Sequence, residues 1–147
     1  MPSQKTDLAD LPDVNLLVAL LHPEHVHHAQ ALEWFAETAG FVTTPITEAG
    51  FLRLTLNQSV MGSPISLAEA LASLSSVKSD PRAQFLPDDA TFTAPRIALH
   101  GLVGHRQVTD FHLVNLASVH SARLVTFDAK VADTLVGKDR EYVRIIG

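Results

Sequence analysis

The chain has 147 residues, a length that fits one domain burying roughly two thirds of its unfolded surface. With 46% apolar and 18% charged residues, disorder is excluded and a well-covered core is expected. A formal charge of -5 gives no basic footprint for nucleic acid unless clustered acids are neutralised by metal, and the absence of cysteine excludes disulfides, thiolate metal sites and cysteine nucleophiles.

The opening "MPSQKTDLADLPD" holds no apolar signal segment, and "LLVALL" at 16–21 falls far short of the ~20 residues that cross a bilayer. A cytoplasmic protein with no membrane partner is therefore expected. "DLADLP" (7–12) reads as a weak first strand. Helices follow over "VNLLVALL" (14–21) and "EHVHHAQALEWFAETA" (24–39), where Val26, Ala29, Leu32, Trp34 and Phe35 roughly keep helical spacing and Gly40 is the stop.

"FVTT" is the second strand, and "TPITEAGFLRLTLN" the next helix, with Thr44 as N-cap and Pro45 at its first position. "QSVMGSP" reads as a loop. "SLAEALASLSSV" pairs Ser66 with Glu69 three residues on, the capping-box spacing of a helix start. Pro81, Pro87 and Pro95 make 78–95 a connection with one extended piece at "AQFL".

A helix is expected over "RIALHGLV" (96–103) and another over "TDFHLVNLASVHSA", capped by Thr109. "RLVTF" is a strand, "AKVADTLV" a short helix and "YVRIIG" a last strand. Strands alternating with helical stretches predict an α/β fold with a parallel sheet of four to five strands, in one domain spanning 1–147.

Asp13, Glu48, Asp110 and Asp128 each fall at a predicted helix start. Singly, each reads as a cap or a partner of the helix dipole. Together they differ, because strand-to-helix junctions of an open parallel sheet share one edge. Carboxylates gathered there repel and raise one another's pKa unless a cation lies among them, and hard oxygen ligands without cysteine point to Mg²⁺ or Mn²⁺. Such a centre activates water for phosphoryl chemistry. Asn15, Thr109 and Thr126 stand beside the acids and are candidates to hold them or the water, against ordinary roles as turn, cap and strand residues.

The segments "PDVNLLVALLHPEHVHHAQALEWF", "TPITEAGFLRL", "GHRQVTDFHLVNLA" and "ARLVTFDAK" together resemble PIN-domain ribonucleases, specifically VapC-type toxins of toxin–antitoxin pairs, over nearly the whole chain. D-x-N, T-E, T-D and T-F-D occur in the family's order. The resemblance implies a three-layer α/β/α fold, Mg²⁺- or Mn²⁺-dependent cleavage of RNA, a homodimer and inhibition by a cognate VapB-type antitoxin. It carries the catalytic acids onto Asp13, Glu48, Asp110 and Asp128, with Asp13, Asp110 and Asp128 at the metal and Glu48 binding metal or orienting water.

Two positions depart from the pattern: Pro12 stands where a plain strand residue is usual, implying an irregular strand end, and Val131 stands where many relatives carry an aromatic residue. Asp133 is an extra acid ranked below the four.

Arg106 is a candidate phosphate contact; His105 reads as a surface residue, and Arg53, Arg96, Arg123 and Lys130 as solvated charges. His22, His25, His27 and His28 invite a metal reading but are expected as surface or interface residues. Trp34, Phe35, Phe51 and Leu52 read as core, while the resemblance implies an apolar groove on the early helices for an antitoxin tail.

No G-x-G-x-x-G or Walker sequence is present, and an aspartyl phosphatase would want an acid where Asn15 stands. Two alternatives remain open at this level: a PIN nuclease of RNA maturation, distinguished by the lack of an upstream antitoxin gene, and a non-catalytic RNA- or partner-binding module, distinguished by indifference to Asp110→Asn.

Overall fold

The computed structural model describes residues 8–147, so residue 7 of the expected first strand lies outside the described residues. Strands β1 (Ala9–Pro12), β2 (Phe41–Thr43), β3 (Ala83–Phe85), β4 (Ala122–Thr126) and β5 (Val143–Ile145) form one sheet in the order β3-β2-β1-β4-β5, every pair parallel. The order reverses beside β1, where such sheets open a crevice at their carboxyl edge.

Alternate strand residues feed two cores. Phe41 and Val125 pack with helices α1 (Val14–Leu21), α2 (His28–Glu37), α3 (Pro45–Thr55) and α5 (Leu67–Lys78), the last two joined through the short α4 (Gln58–Met61). Leu11, Val42, Ala122 and Leu124 pack on the other face with α6 (Val108–Val119) and α7 (Ala129–Asp133). Helices therefore cover both faces of an all-parallel sheet, as a fully buried sheet requires. Among the described residues no helix is long and apolar enough to cross a membrane.

Thr44 and Ser66 cap α3 and α5 through reciprocal bonds with Thr47 and Glu69, as their spacing implies. Trp34 and Phe51 are buried, and Phe35 and Leu52 pack against them. Pro12 stays within β1, in register with Val125 of β4, and affects only the β2 side of the strand. Ala9 and Asp13 direct their N–H groups to β4 and Asp10 directs its own to Gly40, so position 12 faces β2. Lacking an N–H there, Pro12 ends a β1–β2 ladder registered only at Asp10↔Phe41.

Four expectations are corrected. α2 begins at His28 rather than 24, because the His25 ring takes the N–H of His27 and a turn replaces the first helical residues, leaving Val26 81% exposed. The expected loop at 58–64 contains α4. The expected helix at 96–103 is irregular: side chains satisfy its backbone, with Asn115 accepting from Arg96 N–H and Asp139 from Ala98 N–H, and Gly101 sits so close to the Thr134 carbonyl that a Cβ would meet it at 1.9 Å. Finally, α6 is entered through a 3-10 turn at His105–Gln107, so Thr109 lies inside the helix and caps nothing.

Arg123, expected in solvent, instead ties β4 to β1. Its Nε donates to Asp10 Oδ1 at 2.9 Å, while Trp34 Nε1 and Thr38 Oγ1 donate to Oδ2 at 2.9 and 2.8 Å. Asp10 is 3% exposed, so removing its cation leaves a buried charge short of a partner. Arg123→Met is expected to lower the unfolding free energy by about 2 kcal/mol in equilibrium urea titrations at neutral pH. A loss below about 0.5 kcal/mol would mean that the pair behaves as a solvated one.

Candidate active site

Asp13 ends β1 and caps α1, its Oδ1 accepting from Leu16 N–H at 2.8 Å. Its Oδ2 accepts from Thr126 Oγ1 at 2.5 Å, across the paired ends of β1 and β4. The same hydroxyl accepts from Asp128 N–H at 3.1 Å, and Asp128 in turn caps α7 by accepting from Lys130 N–H at 2.9 Å. One threonine thus holds two acids at fixed places. Asp110, in the first turn of α6, is half-buried and has no hydrogen-bond donor among the described residues.

Electrostatics joins these three. Burial pushes the Asp13 carboxyl up to about 6, against the lowering bonds from Thr126 and Leu16, and the charges of Asp110 and Asp128 raise it further. Burial also raises Asp110, with Asp128 adding to the shift. A cleft of about 480 Å³ opens beside them, lined by Asp110, Asp128, Arg106, Gln107, Lys130 and Asp133.

Glu48, the fourth acid, occupies the first turn of α3 but does not act on Asp13; its Oε2 is taken by Lys78 Nζ and Thr43 Oγ1, each at 2.6 Å. Of the three polar neighbours expected to steady the acids, only Thr126 bonds to one. Thr109 and Asn15 are exposed, and Asn15 lines a separate cavity with His22, Glu24 and His25. The histidines have local partners: His22 meets Thr55 Oγ1 at 3.2 Å, His28 meets the Ala19 carbonyl at 2.8 Å, and His27 stacks on Phe127 with centroids 4.6 Å apart. Val131 is buried in the α6/α7 core.

The donor set suits a hard divalent cation. It consists of oxygens only, it concentrates charge whose ionisation is opposed by burial and mutual repulsion, and Asp110 is short of a partner. In this conformation, among the described residues, no three His, Asp or Glu side chains stand close enough to enclose an ion. Lys78 and Asp10 escaped the sequence reading. Lys78 lies 30 residues beyond Glu48 and meets it only because β2 and β3 are neighbours.

The PIN domain family model matches residues 11–135. The chain is 46% identical to Ribonuclease VapC39 of Mycobacterium tuberculosis over 127 residues, covering 84% of this chain and 91% of that protein. It is likewise 46% identical to Ribonuclease VapC38 of the same organism, over 82% of this chain and 86% of the relative, and 40% identical to Ribonuclease VapC29, over 83% and 87%. The crystal structure of M. tuberculosis VapC20, described as a Sarcin-Ricin loop cleaving toxin, superposes with a TM-score of 0.60 over 87% of this chain and 97% of that one; at 13% identity this speaks for the fold alone.

The raised Asp13 carboxyl binds its proton more tightly folded than unfolded. This group therefore adds stability at low pH and loses that contribution as pH rises from about 4 through about 6. In EDTA, Asp13→Asn keeps a capping oxygen and cannot ionise, so it is expected to be about 2 kcal/mol more stable than the parent at pH 8, the advantage disappearing by about pH 4. Urea unfolding at both pH values measures this, and a pH-independent difference would contradict it.

Proposed function

The chain belongs to the PIN-domain family and, within it, to the VapC ribonucleases, and from that premise we propose that it is the toxin of a toxin–antitoxin pair, an endoribonuclease using Mg²⁺ or Mn²⁺ held by Asp13, Asp110 and Asp128. The observation that carries the metal reading is the Asp13–Thr126–Asp128 linkage facing a half-buried Asp110 that lacks a donor.

A divalent ion bound there supplies an activated water and neutralises charge on the phosphate and leaving oxygen. The protein does the rest. Thr126 ties the Asp13 carboxylate to the Asp128 backbone, so the two acids start from one fixed anchor and only their side chains move to reach an ion. Asp110 offers both oxygens. Arg106, on the rim of the same cleft, takes an RNA backbone phosphate, with Lys130 near it. Glu48, held by Lys78 and Thr43, orients the water side of the site. A cognate VapB-type antitoxin, a homodimer and a cytoplasmic location complete the reading.

Antitoxin-free protein incubated with a panel of structured RNAs is expected to cut at discrete sites with Mg²⁺ or Mn²⁺ and not in EDTA. Asp13→Asn and Asp110→Asn should each slow cleavage by at least about a hundredfold. Arg106→Ala should raise KM by about tenfold with kcat little changed. Folded protein that arrests growth in cells equally well as Asp110→Asn would favour a non-catalytic RNA- or partner-binding module.

A further inference from the structure

Gln107 spends its side chain on its own loop. Its Oε1 accepts from the N–H groups of Val103 and Gly104 at 2.8 and 2.9 Å, and its Nε2 donates to the Gly101 carbonyl at 2.9 Å. Two N–H groups and one carbonyl admit the amide one way round only, and neither a carboxylate nor an ammonium could serve all three. With the Gln107 N–H donating to the Gly104 carbonyl, residues 101–107 form a closed loop.

The loop is anchored on its other side as well. Leu99 and Leu102 pack against the α6/α7 core, and the Gly101 backbone lies against Thr134, where a Cβ would meet the carbonyl oxygen at 1.9 Å. It therefore joins the two walls of the cleft, the start of α6 with Asp110 and the end of α7, the helix that begins after Asp128.

Arg106 is carried inside this closed loop. It is exposed and lines the cleft with Asp110, Asp128 and Asp133, yet it pairs with none of them and has no other side-chain partner among the described residues. A free guanidinium whose backbone is already fixed loses little entropy on meeting an oxyanion such as a phosphodiester.

We propose that Gln107 is a positioning residue for RNA: by fastening residues 101–107 it presents the Arg106 guanidinium to a backbone phosphate at the rim of the cleft. The inference rests on the ribonuclease reading above and adds to it the residue through which Arg106 acts.

Fluorescence anisotropy of a labelled single-stranded oligouridylate on the full chain, over a series of salt concentrations in EDTA and in Ca²⁺, tests it without requiring cleavage. Each phosphate met by a cation contributes about 0.7 to the slope of log affinity against log salt. Arg106→Ala is expected to bind about tenfold more weakly with a slope smaller by about 0.7, and Arg106→Lys to keep the parental slope. Gln107→Ala and Gln107→Met leave Arg106 intact, yet each should show the same fall in slope and bind about fivefold more weakly. Combining Arg106→Ala with Gln107→Ala should cost no more than Arg106→Ala alone.

A residue that merely stabilises the loop would lower Tm and leave the salt slope untouched, so thermal unfolding of every variant accompanies the titrations and sets a temperature at which all are folded. A parental slope in both Gln107 variants, additive losses in the double variant, or no RNA binding by the parent at low salt would overturn the proposal. Cleavage by the parent decides the ribonuclease reading separately: binding with these slopes but no cutting in Mg²⁺ or Mn²⁺ would sink that reading and leave Gln107 and Arg106 as an RNA contact.

Discussion

The hydroxyl of Thr126 is the smallest group on which the arrangement of acids depends. It donates to Asp13 and accepts from the N–H of Asp128, so one atom couples the end of β1 to the start of α7. Among small side chains only a hydroxyl donates and accepts strongly through a single atom, and only a β-branched one also suits the last position of a buried strand. Valine would fill that strand position equally well and break both bonds. The local order of T-F-D after a strand is therefore a geometric demand: the residue two before the acid must reach back across the sheet while the acid turns outward into the helix start.

β1 and the residue that follows it carry two buried acids in different surroundings. Asp10 is 3% exposed and surrounded by donors from Arg123, Trp34 and Thr38, so its charge is compensated and serves to clamp strands and α2 together. Asp13 is 7% exposed, three residues further on, and receives two hydrogen bonds but no cation; instead it faces the charges of Asp110 and Asp128. A buried carboxylate with a cation is a structural element, whereas one left among like charges is stable only when something positive arrives. Two acids three residues apart thus differ in their surroundings without differing in residue type.

Much of this was legible in the chain because local rules and global fold agree over most of it. The helix of residues 14–21, the caps at Thr44 and Ser66 and the strand before Asp128 follow from periodicity and capping alone. Asp13 and Asp128 came near each other because helix starts after parallel strands share an edge, while Asp110 reaches them from α6, which follows the long connection after β3. Legibility failed where a side chain rather than the backbone satisfied a segment's hydrogen bonds. His25 unwound the start of α2, and Asn115 and Asp139 replaced helix formation at 96–103, partners that lie 19 and 41 residues away from the N–H groups they bind. The Lys78–Glu48 and Arg123–Asp10 pairs were invisible for the same reason, since their sequence separations of 30 and 113 residues are closed only by strand order.

The net charge of -5 does not by itself argue against an RNA substrate. The Asp10–Arg123 and Glu48–Lys78 pairs contribute nothing to that sum, which falls instead on unpaired groups, among them acids whose charge a divalent ion would offset. What an approaching phosphate meets is the local balance at one cleft, where Arg106 and Lys130 share the rim with Asp110, Asp128 and Asp133. Without an ion that balance is negative and repels a polyanion; with one it turns toward neutral, and the two basic side chains become the nearest uncompensated charges. On the proposed reading, metal occupancy and RNA affinity would be coupled through charge.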